Sequence, residues 1–341
     1  MKVLIHSDMQ KQIERSGIGR ALKHQVMALE AEGIDYTLNP KDDYDILHIN
    51  TVFPQSYFRA ELAKKEGKTI VYHAHSTEED FRDSFLLSNE LSPAFKAWIK
   101  ICYSTADLIL TPTDYSKHLL EQYNMGKPIA VVSNGIDLNY WTCTEEEKAQ
   151  FRQKYDLKPG EKTVMAVGLQ IKRKGILDFI EMAKALPNYR FIWFGYTNPK
   201  LVPEEIQTAI NTKLPNLTFA GYVDRSELRV AYQTCDLYVF PTYEETEGIV
   251  LLEALASRAN VLVRDIPIFE EEFVDGVHLY KASTITEFNE KIQEIVEHRL
   301  PSLVDAGYTV AKERSIKEVG KQLRKYYTLA QEYDKQGETI S

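Results

Sequence analysis

Residues 240–256 read FPTYEETEGIVLLEALA, and the fold follows from what this stretch joins. It opens at the end of an apolar run, Asp236-Leu237-Tyr238-Val239-Phe240, that has the length and composition of a buried β-strand. Pro241 stops the strand, and a loop carrying Glu244, Glu245 and Glu247 follows. From Ile249 to Ala256 the apolar spacing becomes that of a helix. A strand, a polar loop and a helix in this order build ligand sites at the carboxyl ends of the strands in open α/β sheets. Gly248 stands where backbone N–H groups at the helix start can face an anion or a hydroxyl. Glu245 in the loop and Glu253 one turn into the helix can reach a single pocket, and an ionised carboxylate accepts two hydroxyl hydrogen bonds from a sugar. A solvated acidic loop at a helix N-terminus accounts equally for Glu245 and Glu247. It does not account for Glu253, which lies among Leu251, Leu252, Ala254 and Leu255.

On these residues the segment resembles the acidic signature of the family-4 retaining glycosyltransferases. The resemblance implies an α/β chain of the GT-B type, with two Rossmann-like domains facing across a cleft and a C-terminal helix crossing back to the first. It also implies roles. Glu245 and Gly248 would lie against the donor sugar, Glu253 would hold the ribose of the nucleotide, and Ile249 counts among the donor-binding residues. The aromatic residue usual before the glycine is Glu247 here, a departure beside the sugar.

At 341 residues the chain has room for two domains with separate cores. A net charge of −9 argues against a nucleic-acid binder. Three widely spaced cysteines, Cys102, Cys143 and Cys235, form neither a disulfide framework nor a zinc pattern, which fits a reducing cytoplasm. The start, MKVLIHSDMQ, has no signal-peptide pattern, and no apolar run approaches a membrane span, so any membrane contact is expected to be peripheral.

Along the first half, strands are expected at Lys2–Ser7, Asp45–Asn50, Thr69–Ala74, Ala106–Leu110 and Ile129–Val132. A helix is expected over Ile18–Ala31. Between the first strand and that helix lies Ser16-Gly17-Ile18-Gly19-Arg20, a glycine turn that alone says little. The resemblance gives Gly17 and Gly19 a place against the donor phosphate. The third strand runs into His73-Ala74-His75. Two histidines at i and i+2 share a strand face, but no third ligand has suitable spacing, so no metal is expected. The resemblance assigns a histidine near the donor sugar, and His75 matches its position better than His73. From Phe81 to Ser104, apolar residues alternate with Arg82, Lys96 and Lys100. This pattern can fit an interfacial helix on anionic lipid, but a core-facing helix with a solvated basic edge is the favoured reading. Ser133-Asn134-Gly135-Ile136-Asp137 matches the family's last element of the N-terminal domain.

The charged stretch 141–160 sets the expected boundary near residue 145, giving an acceptor domain over 1–145 and a nucleotide-sugar domain over 146–341. The second domain opens with a strand at Thr163–Val167, then Gly168-Leu169-Gln170-Ile171-Lys172-Arg173-Lys174-Gly175, then a helix from Ile176. Three basic residues in a strand-to-helix loop suit a diphosphate. The family pattern places a lysine at Lys174 and an arginine at Leu169. That arginine is missing, and Arg173 or Lys172 is left to replace it. After the strand at Leu217–Gly221, Tyr222 or Val223 is the expected wall against the nucleotide base. A terminal helix is expected over roughly 316–334, packing on the first domain.

The stretches SGIGRA, HINT, YHAHSTEEDF and YEETEGIVLLEAL most resemble the Gram-positive glycosyltransferases of membrane glycolipid synthesis. That resemblance implies an enzyme moving glucose or galactose from UDP-glucose or UDP-galactose, with retention, to a membrane glycolipid such as glucosyl-diacylglycerol. Lys174, Glu245 and His75 are the expected catalytic residues, with no metal and no separate cofactor. A location in the cytoplasm, peripheral to an anionic inner membrane face, goes with that acceptor. A glycan acceptor is the alternative enzyme reading, and a two-domain nucleotide- or sugar-binding protein is the non-enzyme one. A dinucleotide dehydrogenase is disfavoured by the lack of G-x-G-x-x-G after a strand.

Overall fold

In the computed structural model, which describes residues 1–9 and 16–336, the apolar runs become two parallel six-stranded sheets. The first contains β1 (Lys2–His6), β2 (Asp35–Thr37), β3 (Ile46–Ile49), β4 (Thr69–His73), β5 (Leu108–Thr111) and β6 (Ile129–Val131), in the order β2-β1-β3-β4-β5-β6. The second contains β7 (Thr163–Val167), β8 (Arg190–Phe194), β9 (Leu217–Gly221), β10 (Leu237–Phe240), β11 (Val261–Arg264) and β12 (Tyr280–Ala282), in the order β12-β11-β10-β7-β8-β9. Except between β2 and β3, helices join successive strands and cover the sheet faces, as parallel pairing requires. The central strands are therefore apolar throughout: every residue of β7 and of β10 is buried.

The chain divides into two compact units. Unit 1 is Met1–Glu79, Glu90–Ile136 and the tail from Arg314, while unit 2 is Asp80–Asn89 and Asp137–Glu313. The division falls after Ile136, ahead of the charged stretch that set the sequence boundary. Hydrogen bonds explain why. The Ile136 N–H donates to the Arg314 carbonyl at 2.9 Å, and its own carbonyl accepts from Ile316 at 3.1 Å, which ties it to the tail. Trp141 is already in the core of unit 2, edge-on to Tyr232 at 5.7 Å, with its carbonyl accepting from Gln233 at 2.6 Å.

The terminal helix, Ile316–Gln336, completes unit 1. Its buried Val319, Leu323, Tyr327 and Ala330 join Val3, Ile5, Val71 and Leu108 in one apolar cluster. It crosses the helix Gly17–Ala31 closely, since a Cβ on Gly320 would lie 2.6 Å from the Ala28 carbonyl oxygen. In the helix Ser88–Tyr103, Ile99 is buried and the Trp98 indole donates to the Val52 carbonyl at 2.5 Å. Lys96 is held by Glu78 at 2.8 Å. The large apolar side chains left outside on this helix are Leu91 and Ile101.

Candidate active site

In unit 2, strand order reverses between β7 and β10: β8 and β9 continue to one side, β11 and β12 to the other. Loops leaving two such neighbours diverge to opposite faces and open a crevice at the carboxyl edge. The loop after β7 is Gly168–Gly175 and the loop after β10 is Pro241–Gly248, so the topology puts the basic and the acidic segments side by side.

Their backbones touch. Gly175 has φ +74°, and a Cβ there would sit 2.2 Å from the Pro241 carbonyl oxygen, so only glycine fits. The Tyr243 N–H donates to the Arg173 carbonyl at 2.8 Å. Across this seam Lys174 Nζ forms an ion pair with Glu245 Oε1, which also accepts from the Thr242 hydroxyl at 3.0 Å. Nζ lies 5.8 Å from the centre of the Phe240 ring. Burial holds the Lys174 ammonium below its ordinary pKa, with Glu245 pulling the other way. The pair is thus a cation facing a carboxylate with little water to share.

Arg173 is turned differently. Its Nη1 pairs with Asp80 at 2.8 Å and donates to the Glu244 carbonyl at 2.7 Å, while Nε donates to the Ser84 hydroxyl at 2.9 Å. Its own N–H donates to the Asp83 carbonyl at 3.0 Å. The guanidinium is buried and also lies 3.9 Å from Glu245. Burial raises the Asp80 carboxyl above the usual range, and Arg173 opposes that rise. Of the two residues open to replace the missing family arginine, Arg173 is thus committed to bracing the segment Asp80–Asn89, and Lys172 is exposed. Leu169 itself is 41% exposed.

Gly248 caps the helix Ile249–Ala256 in the left-handed conformation, φ +84°, where a Cβ would meet the Phe240 ring at 3.0 Å. The Leu251 and Leu252 N–H groups donate to the Gly248 carbonyl at 2.8 and 3.3 Å, which leaves the N–H groups of Ile249 and Val250 as the ones with no acceptor inside the helix. Ile249 is buried beside them. Glu253 is fully buried one turn on, and the Tyr232 hydroxyl lies 3.4 Å from its Oε2 and 3.0 Å from the Val250 carbonyl. Glu247 is buried as well. Tyr222 and Val223 follow β9, two strands from β7, or about 10 Å at ordinary strand spacing. Tyr222 is exposed there.

A second set of residues holds the acidic loop. Arg264, buried at the end of β11, pairs with Asp178 and donates to the Pro241 carbonyl at 3.0 Å. Its guanidinium lies 3.9 Å from the centre of the Tyr243 ring, whose hydroxyl donates to Asp178 at 2.5 Å. The sequence reading passed over Arg264, Asp178 and Tyr232. An arginine ending the otherwise apolar run VLVR was the available signal.

In unit 1 the expected glycine turn lies inside a helix. Gly17 and Gly19 occupy the first turn of Gly17–Ala31, and the Ser16 hydroxyl accepts from the Gly19 N–H at 3.3 Å as an N-cap. The helix begins earlier than Ile18 because Ser16 supplies the cap. His75 lies just past β4, stacked on His73 at 4.4 Å, and His73 stacks on His48 at 5.5 Å. Asn50 Oδ1 contacts His75 Nε2 at 2.8 Å and Gln25 Nε2 at 2.7 Å, while Gln25 also reaches His73 Nδ1 at 3.0 Å. The Tyr327 hydroxyl bonds His48 Nδ1 at 2.6 Å. Burial drives all three imidazoles down, His48 to about 3 and His75 to about 4, so the stack is neutral at ordinary pH. Among the described residues, no cluster of three or more His, Cys, Asp or Glu is placed to hold a metal ion.

Residues 147–318 match the family model described as "Glycosyl transferases group 1", and residues 16–140 match "Glycosyltransferase Family 4". The chain is 41% identical over 328 residues to the processive diacylglycerol alpha-glucosyltransferase of Acholeplasma laidlawii, covering 96% of this chain and 98% of that protein. It is 24% identical to the alpha-galactosylglucosyldiacylglycerol synthase of Streptococcus pneumoniae, covering 76% of this chain and 71% of that one. Among solved structures, Anabaena HepE in complex with UDP and glucose superposes with a TM-score of 0.76 at 17% identity, covering 96% of this chain and 99% of that chain. The two parallel Rossmann-like sheets and the loops at their switch point are therefore those of a glycosyltransferase, and the chain belongs to glycosyltransferase family 4.

Proposed function

We propose that this enzyme transfers a hexose from a UDP-sugar, with retention, to a diacylglycerol-based glycolipid. The observation that carries the reading is the buried Lys174–Glu245 pair on two loops of one switch point. A nucleotide-sugar presents a diphosphate and a hydroxylated ring at a fixed distance, and this pair offers one partner to each. Support for the lipid acceptor comes from the relative that is 41% identical, whose name gives diacylglycerol as its acceptor.

In the proposed reaction the bond from the anomeric carbon to the diphosphate oxygen breaks as a bond to the acceptor oxygen forms on the same face. The acceptor proton passes to the departing phosphate. Charge grows on the diphosphate while the ring approaches an oxocarbenium ion. Lys174, released from Glu245 by the incoming donor, stabilises that charge, and the first-turn amides after Gly248 add to it. Glu245 accepts sugar hydroxyls, Glu253 the ribose hydroxyls, and Tyr222 or Val223 borders the base. Neutral His75 is assigned a hydrogen bond to the sugar, and Gly17 and Gly19 a close approach to the phosphate. None of these roles calls for a metal ion.

Contact with the bilayer is assigned to peripheral docking. No described helix is long and apolar enough to cross a membrane. Unit 1 carries a groove lined by Tyr57, Ile101, Lys64 and Lys100, with Glu61 among them, and it exposes Phe58 and Leu62 elsewhere on the helix Pro54–Lys65; this apolar and basic surface supports the assignment to anionic lipid.

The test is release of UDP by purified protein given UDP-glucose or UDP-galactose, with diacylglycerol, glucosyl-diacylglycerol or no lipid in mixed micelles. Lipid-dependent release with one donor is expected. Equal release with and without lipid would reject the acceptor class, and none with either donor would reject the UDP-hexose.

A further inference from the structure

The segment Asp80–Asn89 presents three consecutive apolar residues to solvent, and every turn of it is held. Phe85, Leu86 and Leu87 are 37%, 55% and 57% exposed. Leu87 has φ +62° and Asp83 φ +52°, a conformation that side-chain-bearing residues avoid unless their surroundings impose it. Here the surroundings do. The Ser88 hydroxyl accepts from the Ser84 and Phe85 N–H groups at 3.3 Å. Asn89 Oδ1 accepts from the Asp83 N–H at 2.9 Å, and its amide returns a bond to Asp83 Oδ1 at 3.1 Å. The Leu86 N–H donates to the carbonyl of Leu201, itself 51% exposed.

A merely loose loop would be expected to turn its apolar residues inward. This one is braced outward, and the brace is Arg173, whose side chain and backbone hold Asp80, Asp83 and Ser84. Arg173 immediately precedes Lys174, so the apolar tip is rigidly referenced to the Lys174–Glu245 pair.

The geometry points to an acyl-chain subsite: Phe85, Leu86, Leu87 and Leu201 contact the hydrocarbon chains of the acceptor lipid, and Arg173 is a positioning residue that fixes this lip relative to the donor loops. The inference rests on the lipid-acceptor reading above and names the part of the enzyme that would select it. A water-soluble glycan would gain nothing from these side chains, whereas a diacylglycerol acceptor brings apolar surface that must stay covered while its headgroup enters the site.

The experiment compares transfer to glucosyl-dioleoylglycerol in mixed micelles with transfer to hexyl glucoside in solution, as the ratio of their kcat/KM values. In Phe85→Ser/Leu86→Ser/Leu87→Asn, where asparagine tolerates the left-handed position, the ratio should fall about tenfold or more through the KM for the long-chain acceptor. The single changes Leu86→Ser and Leu201→Ser should each move it in the same direction, and they decide the matter if the triple variant does not fold. A ratio within twofold of the parent in all variants would overturn the subsite. So would an equal loss of binding to phosphatidylcholine vesicles that contain no glycolipid, because the tip would then be a general bilayer contact. If the parent enzyme uses hexyl glucoside but no glucosyl-diacylglycerol, the lipid-acceptor reading fails and takes the subsite with it.

Discussion

Acidifying the enzyme from pH 7 to pH 5 should selectively weaken unit 1, through the stacked histidines. His48 and His73 are almost fully buried and hold their imidazoles neutral, with folded pKa values far below the unfolded value near 6.5. The unfolded chain then binds protons that the folded one refuses. The stability these groups allow is complete above pH 6.5 and is lost as the pH falls from there toward the folded values, about 3 for His48. Each proton excluded costs about 1.4 kcal/mol per pH unit, so 1.5 units below 6.5 removes about 2 kcal/mol per histidine, or about 4 kcal/mol for the two. His75, partly open to solvent, adds less. Against a typical total of about 5–15 kcal/mol this is a large fraction. Trp98 lies in unit 1 while Trp141 and Trp193 lie in unit 2, so urea titrations of a Trp141→Phe/Trp193→Phe background, followed by fluorescence, report unit 1. The His48→Gln variant should flatten the dependence between pH 4 and 6 by about 1.4 kcal/mol per unit. If its slope matches that of the parent, the buried stack does not govern the acid response and the reasoning fails.

Lys174→Met should lower turnover about 100- to 1000-fold, by removing stabilisation of the leaving diphosphate. It should also cost about 3 kcal/mol by stranding Glu245, a loss visible in unit 2 unfolding and relieved in Lys174→Met/Glu245→Gln without recovery of turnover. Gly175→Ala forces a methyl group to within 2.2 Å of the Pro241 oxygen and should destabilise unit 2 by about 3 kcal/mol or more; a shift under about 1 kcal/mol in denaturant midpoint would contradict the seam described. On the proposed ribose contact, Glu253→Gln should weaken donor binding about 10- to 100-fold, measured as KM for the UDP-sugar, and an unchanged KM would remove that role.

What the sequence disclosed follows the range of the interactions involved. Thr163–Val167, Leu217–Gly221 and Ile249–Ala256 were legible to the residue because an uninterrupted apolar run or a helical period marks each one locally. The strand Asp35–Thr37 was not, being three residues at a sheet edge with only Thr37 buried. The helix Ile285–Val296 was passed over although Thr284 and Glu287 form a capping box, a pattern that four letters reveal. The acidic and basic loops were legible as motifs. Their supports were not: Arg173 meets Ser84 across 89 residues of sequence, and His48 meets Tyr327 across 279. No spacing rule announces such a partner. A buried arginine inside a basic triplet therefore reads as one more candidate for the diphosphate until the fold closes around it.

The placement of the last helix bears on how the molecule comes into being. One face of the first sheet, including Val3, Ile5, Val71 and Leu108, is covered jointly by Ala28 and Leu29 of the helix Gly17–Ala31 and by Val319, Leu323, Tyr327 and Ala330. During synthesis, residues 1–136 emerge long before those four. Unit 2 has all its segments available once Glu313 has left the ribosome, whereas unit 1 must wait with a greasy face uncovered. The last segment of unit 1 thus leaves the ribosome after every segment of unit 2, so part of the apolar face of the half made earliest stays open until synthesis ends.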